Sequence, residues 1–358
     1  MRILIMAGGT GGHIFPALAV AKRLQQQDHV VHWLGSRYGM EAGVTATNAI
    51  PIHFISIAGI RGKGLITKIL APWHLYVALL QSIWVLWRFK PDVVLGMGGY
   101  VTGPAGMASW LLRKRLIIHE QNAIAGMTNQ ILARFSYKVL EGFPHSFTRK
   151  VATMVTGNPV REDFNRLLPP AKRVSRNANT GLKILVIGGS GGAQVLNNTI
   201  PQILSNWPAA VIKPTIWHQA GKKHLKDTQQ YYLQHGITDS NVKLVDFIND
   251  MPNAYAWADI IICRSGALTV AEIASVGVAS ILIPYPYAVD DHQTKNAEYL
   301  ANSQAAIIIQ QRDLNIEKLV AILVDLTQNA SKLDSMARSA YSLAQPKALD
   351  LVVEHINN

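Results

Sequence analysis

Short runs of β-branched and aliphatic residues alternate along this chain with longer stretches of helical periodicity. The first series of runs lies at residues 3–6, 30–34, 52–55, 93–95, 116–118 and 138–140. A second series begins at Lys183 and continues at 184–187, 215–217, 242–245, 260–263, 280–283 and 306–309. Strands alternating with helices predict βαβ units and a parallel sheet for each series, an α/β fold in two domains. Residues 157–181, GNPVREDFNRLLPPAKRVSRNANTG, are rich in Pro, Asn and basic residues and lack periodicity, as an interdomain linker would. The expected division is 1–160, 161–330 and a helical tail at 331–358 that packs back on the N-terminal domain.

The two series echo each other. RILIMAGGTGGH opens the first and KILVIGGSGGAQ the second. Each is a buried strand, a glycine-rich turn with one hydroxyl residue, and then a helix. Glycines let the backbone turn tightly and approach a ligand, and the helix N-terminus favours an anion such as phosphate. Neither loop fits a dinucleotide site. Counting G-x-G-x-x-G from Gly9 or Gly189, the last position falls on Ile14 or Gln194, and strand 30–34 runs into Gly35-Ser36-Arg37 without a ribose carboxylate. There is no G-x-x-x-x-G-K-[ST] either, so nicotinamide and ATP chemistry are poorly supported.

Length and charge narrow the partners. The chain has 358 residues, 49% hydrophobic and 16% charged, which excludes global disorder and suits two domains. Its single cysteine, Cys263, excludes an internal disulfide and a multi-cysteine zinc site, and fits a reducing compartment. The net charge of +12 is lopsided: residues 1–160 hold 16 Lys and Arg against 5 Asp and Glu, a surplus of 11. The remainder holds 18 against 17. Such asymmetry calls for an anionic partner. Sparse charge on an apolar chain points to an acidic membrane surface and away from nucleic acid. The opening residues do not read as a signal peptide, because glycines end the apolar run early. Residues 69–87 contain no charged residue, but Pro72, His74, Gln81 and Ser82 interrupt them, which argues against a membrane span.

The segment ADIIICRSGALTVAEIA, residues 258–274, carries more chemistry. A buried strand ends at Cys263, and a turn leads into a helix bearing Glu272. Near the start of that helix a carboxylate can accept two ribose hydroxyls while the helix N-terminus holds a phosphate. The plainer alternative is a capping box between Thr269 and Glu272.

At this point the chain resembles a known family. GGTGGH at 8–13, IRGKG at 60–64, DVVLGMGGYVTGP at 92–104, HEQNAIAGMTN at 119–129, GNPVR at 157–161, GGSGGA at 188–193, FINDM at 247–251 and CRSGALTVAE at 263–272 are similar to the motifs of the MurG family, in order and over nearly the whole chain. These are the peripheral-membrane N-acetylglucosaminyltransferases of bacterial peptidoglycan synthesis. The resemblance implies a GT-B fold, with two Rossmann-like domains facing across a cleft. It implies transfer of GlcNAc from UDP-GlcNAc to the C4 hydroxyl of MurNAc in undecaprenyl-diphosphate-MurNAc-pentapeptide. The anomeric centre inverts, with no metal and no cofactor. The absence of a D-x-D element agrees. A UDP-GlcNAc 2-epimerase, which shares fold and donor but has no lipid acceptor, is the main alternative.

Residue roles follow by similarity. Ile248 would meet the uracil through its backbone, with Arg161 nearby. Glu272 would bind the ribose and Ser190 the diphosphate, with Ala267, Leu268 and Thr269 offering the helix N-terminus. Asn122 and Gln293 would meet the GlcNAc hydroxyls, and Thr10, Gly11 and Gly12 would line the opposite wall. Relatives often have glutamine where this chain has Gly191, and some have two glutamines where it has His292 and Gln293. An inverting transfer needs a base near the acceptor hydroxyl. His13 is the first candidate and Glu120 the second, both at strand ends where ligands of such sheets bind. His13 as a capping or phosphate-positioning residue stays open.

The lipid acceptor requires a membrane face. Trp73, Tyr76, Leu80, Trp84 and Trp87 recur at three- and four-residue spacing after Pro72, an amphipathic stripe rich in interfacial residues. Trp110 with Arg113, Lys114 and Arg115, beside Lys63 and Lys68, extends it with charge that attracts anionic lipid. A buried core helix is the competing account. The implied location is the cytoplasmic face of the bacterial inner membrane, with cell-wall synthesis proteins as further partners.

Overall fold

The apolar runs are parallel strands. A computed structural model describes residues 1–59, 70–148, 151–173, 180–189, 191–238 and 241–358. By its contacts the chain divides into unit 1, Met1–Arg161 with Pro346–Asn358, and unit 2, Glu162–Gln345.

Unit 1 holds β1 (Arg2–Met6), β2 (Val30–Ser36), β3 (Ile52–Ile55), β4 (Val93–Gly96), β5 (Arg115–Glu120), β6 (Lys138–Glu141) and β7 (Met154–Val155). They pair in parallel in the order β3-β2-β1-β4-β5-β6-β7. Unit 2 holds β8 (Lys183–Ile187), β9 (Thr215–Gln219), β10 (Val242–Val245), β11 (Ile260–Cys263), β12 (Ala279–Leu282) and β13 (Ala306–Ile308). Their order is β10-β9-β8-β11-β12-β13. Each is a doubly wound sheet. The winding reverses between β1 and β4 in unit 1, and between β8 and β11 in unit 2. The crevice beyond the carboxyl ends of those strand pairs is where such sheets hold ligands.

The strands are apolar throughout because both faces are covered. In unit 1, Ile3, Ile5, Val93, Leu95 and Ile117 face the helix Gly11–Gln26 and the C-terminal helix Ala348–Asn357. Leu4, Met6, Val94, Leu116 and Ile118 face the helices Ala71–Phe89 and Thr102–Leu111. Alternate residues thus feed two separate cores, as the strand period of two requires.

Two expectations need correction. The C-terminal tail does not move as one piece. The helix Ala330–Ser342 buries Leu333, Met336 and Ala340 within unit 2, against the helix Ala267–Val276 and β12. Only the helix Ala348–Asn357 belongs to unit 1, where Leu349, Val352, Val353 and Ile356 join the core. The segment 157–181 is not a free linker either. Val160 and Phe164 are buried, and the Arg173 guanidinium donates to the carbonyls of Val276 and Gly277. On the structural units the charge asymmetry persists: 18 Lys and Arg against 7 Asp and Glu in unit 1, and 16 against 15 in unit 2.

Candidate active site

The first glycine loop follows β1 at the switch point of unit 1. Thr10 is the N-cap of the helix Gly11–Gln26 and makes no side-chain cap bond, so Gly11 and Gly12 begin the helix with no side chain capping their N–H groups. His13 follows in the same turn, half-buried, with Nδ1 2.8 Å from Gln121 Oε1. Among the described residues, nothing hydrogen-bonds to its Nε2. The loop after β4 closes over this ring. At Gly98, φ is +95° and a Cβ would come within 2.7 Å of His13 Nδ1, so only glycine fits.

Glu120 has a different role from the one expected. It is 2% exposed, and its carboxylate accepts four hydrogen bonds from the loop and the helix Met127–Leu132 that follow β5. Oε1 accepts from Asn122 N at 2.9 Å and Asn122 Nδ2 at 3.1 Å, and Oε2 from Gly126 N at 3.1 Å and Asn129 Nδ2 at 2.8 Å. A carboxylate saturated by donors is a loop clamp, poorly placed to take a substrate proton. The same bonds hold the Asn122 amide against Glu120.

In unit 2 the glycine loop follows β8, and Ser190 lies outside the described residues. Gly192, with φ +76°, packs where a Cβ would collide with the Ala220 carbonyl. Gln219, 2% exposed at the end of β9, ties two loops together. Its Nε2 donates to Gly189 O at 3.0 Å, and its Oε1 accepts from Ile248 N at 3.0 Å. The Ile248 N–H is therefore committed, which leaves the carbonyl to meet a base.

The helix Ala267–Val276 begins after Gly266, with no side chain capping it, so Ala267, Leu268 and Thr269 form its first turn. Thr269 is thus inside the helix, which rules out the capping box with Glu272. Glu272 lies in the second turn, 8% exposed, where its Oε2 accepts from Tyr255 OH at 2.9 Å. Phe164 packs edge-on against Tyr255 at 5.2 Å, so the supposed linker supports this carboxylate. Gln293 Oε1 accepts from Tyr285 N at 2.9 Å. Arg264 is a strut: it donates to the carbonyls of Ile283 and Pro284 and to Gln311 Oε1. Arg161, half-buried, ends the first segment of unit 1.

Each unit also buries a neutral histidine on a strand of its sheet, His119 on β5 and His218 on β9. Burial depresses His119 to about 4 and His218 to about 3. In the unfolded chain both titrate near 6.5, so that state binds more protons as pH falls below 6.5. Stability is full above 6.5 and is lost as pH falls towards the folded values. Between pH 6.5 and 5 the loss is about 2 kcal/mol per histidine. Urea midpoints should therefore drop between pH 7 and 5; flat midpoints would contradict neutral burial of these rings.

The helix Ala71–Phe89 settles which face is core. Ala78, Ser82, Val85, Leu86 and Phe89 are buried, and the stripe Trp73, Tyr76, Leu80, Trp84 and Trp87 is exposed. Among the described residues no helix is long and apolar enough to cross a membrane. Trp110 and Arg113 are also exposed. Arg115 departs from the expected patch: it is half-buried over the Tyr137 ring at 4.9 Å. Lys63 and Lys68 lie outside the described residues.

Two doubly wound sheets with glycine loops at both switch points define a class, the proteins of GT-B fold. The chain matches the glycosyltransferase family 28 N-terminal domain over residues 3–141 and the C-terminal domain over 183–352. Within that class it belongs to the MurG family, the UDP-N-acetylglucosamine–N-acetylmuramyl-(pentapeptide) pyrophosphoryl-undecaprenol N-acetylglucosamine transferases. It is 49% identical to such a transferase of Marinobacter nauticus over 354 residues, covering 99% of this chain and 96% of the relative. One from Burkholderia thailandensis is 48% identical, covering 98% and 94%. The crystal structure of Acinetobacter baumannii MurG superposes with a TM-score of 0.80 at 41% identity, covering 99% of both chains. A UDP-GlcNAc 2-epimerase from Neisseria meningitidis shares the fold alone, with a TM-score of 0.64 at 14% identity and full coverage of both chains.

Proposed function

We propose that this chain transfers GlcNAc from UDP-GlcNAc to the C4 hydroxyl of MurNAc in undecaprenyl-diphosphate-MurNAc-pentapeptide, with inversion at the anomeric carbon. The observation that carries this reading is near-half identity, end to end, with transferases named for that donor and acceptor. Unit 2 takes the donor. The first turn at Ala267, Leu268 and Thr269 and the glycine loop with Ser190 meet the diphosphate through N–H groups and the helix dipole. Glu272 accepts the ribose hydroxyls, the Ile248 carbonyl meets the base, and Gln293 meets the sugar. Unit 1 takes the acceptor beside Thr10, Gly11 and Gly12, and His13 Nε2 removes the proton of its C4 hydroxyl.

The enzyme works peripherally on the cytoplasmic face of the inner membrane. The exposed aromatic stripe enters the interface, and Arg113 and Lys114, within the more basic unit, face anionic lipid.

Donor recognition is tested by titration with UDP and 2′-deoxy-UDP. Glu272→Gln removes a charge but keeps an oxygen for Tyr255. A hydrogen bond to a charged group is worth about 1.5–3 kcal/mol, so UDP affinity should fall about 10- to 100-fold. The preference for UDP over 2′-deoxy-UDP should shrink with it. Unchanged affinity and preference would remove Glu272 from the ribose site.

A further inference from the structure

His13 sits at the end of a buried chain of hydrogen bonds whose polarity can be worked out group by group. His119 Nε2 lies 3.0 Å from the Gly157 carbonyl. A carbonyl only accepts, so that nitrogen carries the hydrogen. His119 is fully buried, which keeps its ring neutral, and its Nδ1 is a bare acceptor. Facing Nδ1 at 3.0 Å is the Gln121 side-chain nitrogen, which also reaches the His119 backbone carbonyl at 3.1 Å. Both partners accept, so the amide NH₂ must point this way and both its hydrogens are used. The Gln121 Oε1 then faces His13 Nδ1 at 2.8 Å. An amide oxygen only accepts, so Nδ1 of His13 carries the hydrogen.

The frame is rigid. Gln121 is 1% exposed, and its backbone carbonyl accepts from Asn158 Nδ2 at 3.0 Å. Gly98 leaves room for the ring, because a Cβ there would lie 2.9 Å from His13 Cε1 and 3.4 Å from Gln121 Oε1.

We infer that Gln121 is a positioning residue that fixes the neutral His13 ring as its Nδ1–H tautomer, and that His119 sets the direction of the Gln121 amide. This rests on the assignment of His13 as the base. The lock places the lone pair on Nε2, which has no partner among the described residues. As the acceptor O4 attacks the anomeric carbon, its proton moves to Nε2. The bond from that carbon to the phosphate oxygen breaks, and its electron pair leaves with UDP. The imidazolium keeps its Nδ1–H bond to Gln121 Oε1. A flipped amide would present NH₂ to Nδ1, force the hydrogen onto Nε2 and remove the base.

The test reads the tautomer directly. The full chain is labelled with ¹⁵N-histidine, and long-range ¹H–¹⁵N spectra are recorded at a pH where His13 is neutral. His13 should carry its hydrogen on Nδ1 and His119 on Nε2. In Gln121→Met the His13 ring should shift towards Nε2–H, and kcat should fall about 10- to 100-fold, the range that loss of an orienting partner costs a metal-bound histidine. The KM for UDP-GlcNAc should stay put. His119→Phe, which frees the amide to flip, should shift both readouts in the same direction and guards against misfolding of the first variant. A wild-type spectrum with Nε2–H on His13 overturns the lock whatever the kinetics. A fall in kcat without a change of tautomer overturns it as well. Full kcat in His13→Ala instead overturns the base assignment, an outcome the spectra distinguish from failure of the lock.

Discussion

His13→Ala is expected to lower kcat by about 10²- to 10⁴-fold, the range that a positioned general base contributes. The KM for UDP-GlcNAc should change little. The separation follows from the placement of the groups. The diphosphate and ribose are assigned to loops of unit 2, which the substitution does not touch, whereas His13 stands at the switch point of unit 1. An interaction made only as the proton moves is lost from kcat and from kcat/KM equally. The half-buried ring and its bond to Gln121 suit a group held still for chemistry. A rise in KM with kcat intact would instead make His13 a residue that only positions phosphate. Glu120, saturated by four donors, should not substitute for it.

The second large effect is expected at the aromatic stripe. Trp73, Trp84 and Trp87 are 62%, 55% and 67% exposed. Burying a large apolar side chain is worth about 1.5–3 kcal/mol. Replacing all three by serine should therefore weaken binding to anionic phospholipid vesicles by more than about 100-fold. The fold should survive, because Ala78, Val85, Leu86 and Phe89 hold the opposite side of the same helix in the core. Neutralising Arg113 and Lys114 should have a smaller effect, about 1 kcal/mol per charge, and one that fades with salt. Arg115 is left out because it already lies over Tyr137. Vesicle binding that survives the triple substitution would contradict the membrane face; UDP affinity should be unaffected either way.

The strands were legible because both faces of each sheet are buried, which writes them as apolar runs. β7, two residues at a sheet edge, leaves no such trace. Single anchors are equally invisible. Phe164 is one apolar residue in a polar, proline-rich stretch, yet it is fully buried against Tyr255. The two terminal helices both look amphipathic, and periodicity does not say which sheet each covers. The glycine turns after β1 and β8, and the place of Glu272 near the start of a helix, were legible from the residues themselves. Glu120 looks like a base, as a carboxylate at a strand end does, until its donors are counted. The signal was present, since Asn122, Gly126 and Asn129 all follow within nine residues. Gln121 and Gln219 were missed because an amide carries no charge, and its role depends on partners distant in sequence.

The central claim is the transfer itself. The protein is incubated with UDP-GlcNAc labelled in the sugar and with undecaprenyl-diphosphate-MurNAc-pentapeptide in anionic vesicles. One lipid-linked disaccharide with a β-1,4 linkage is expected, formed in step with UDP and lost in His13→Ala. Label released as free or epimerised sugar, with none in the lipid, would contradict it.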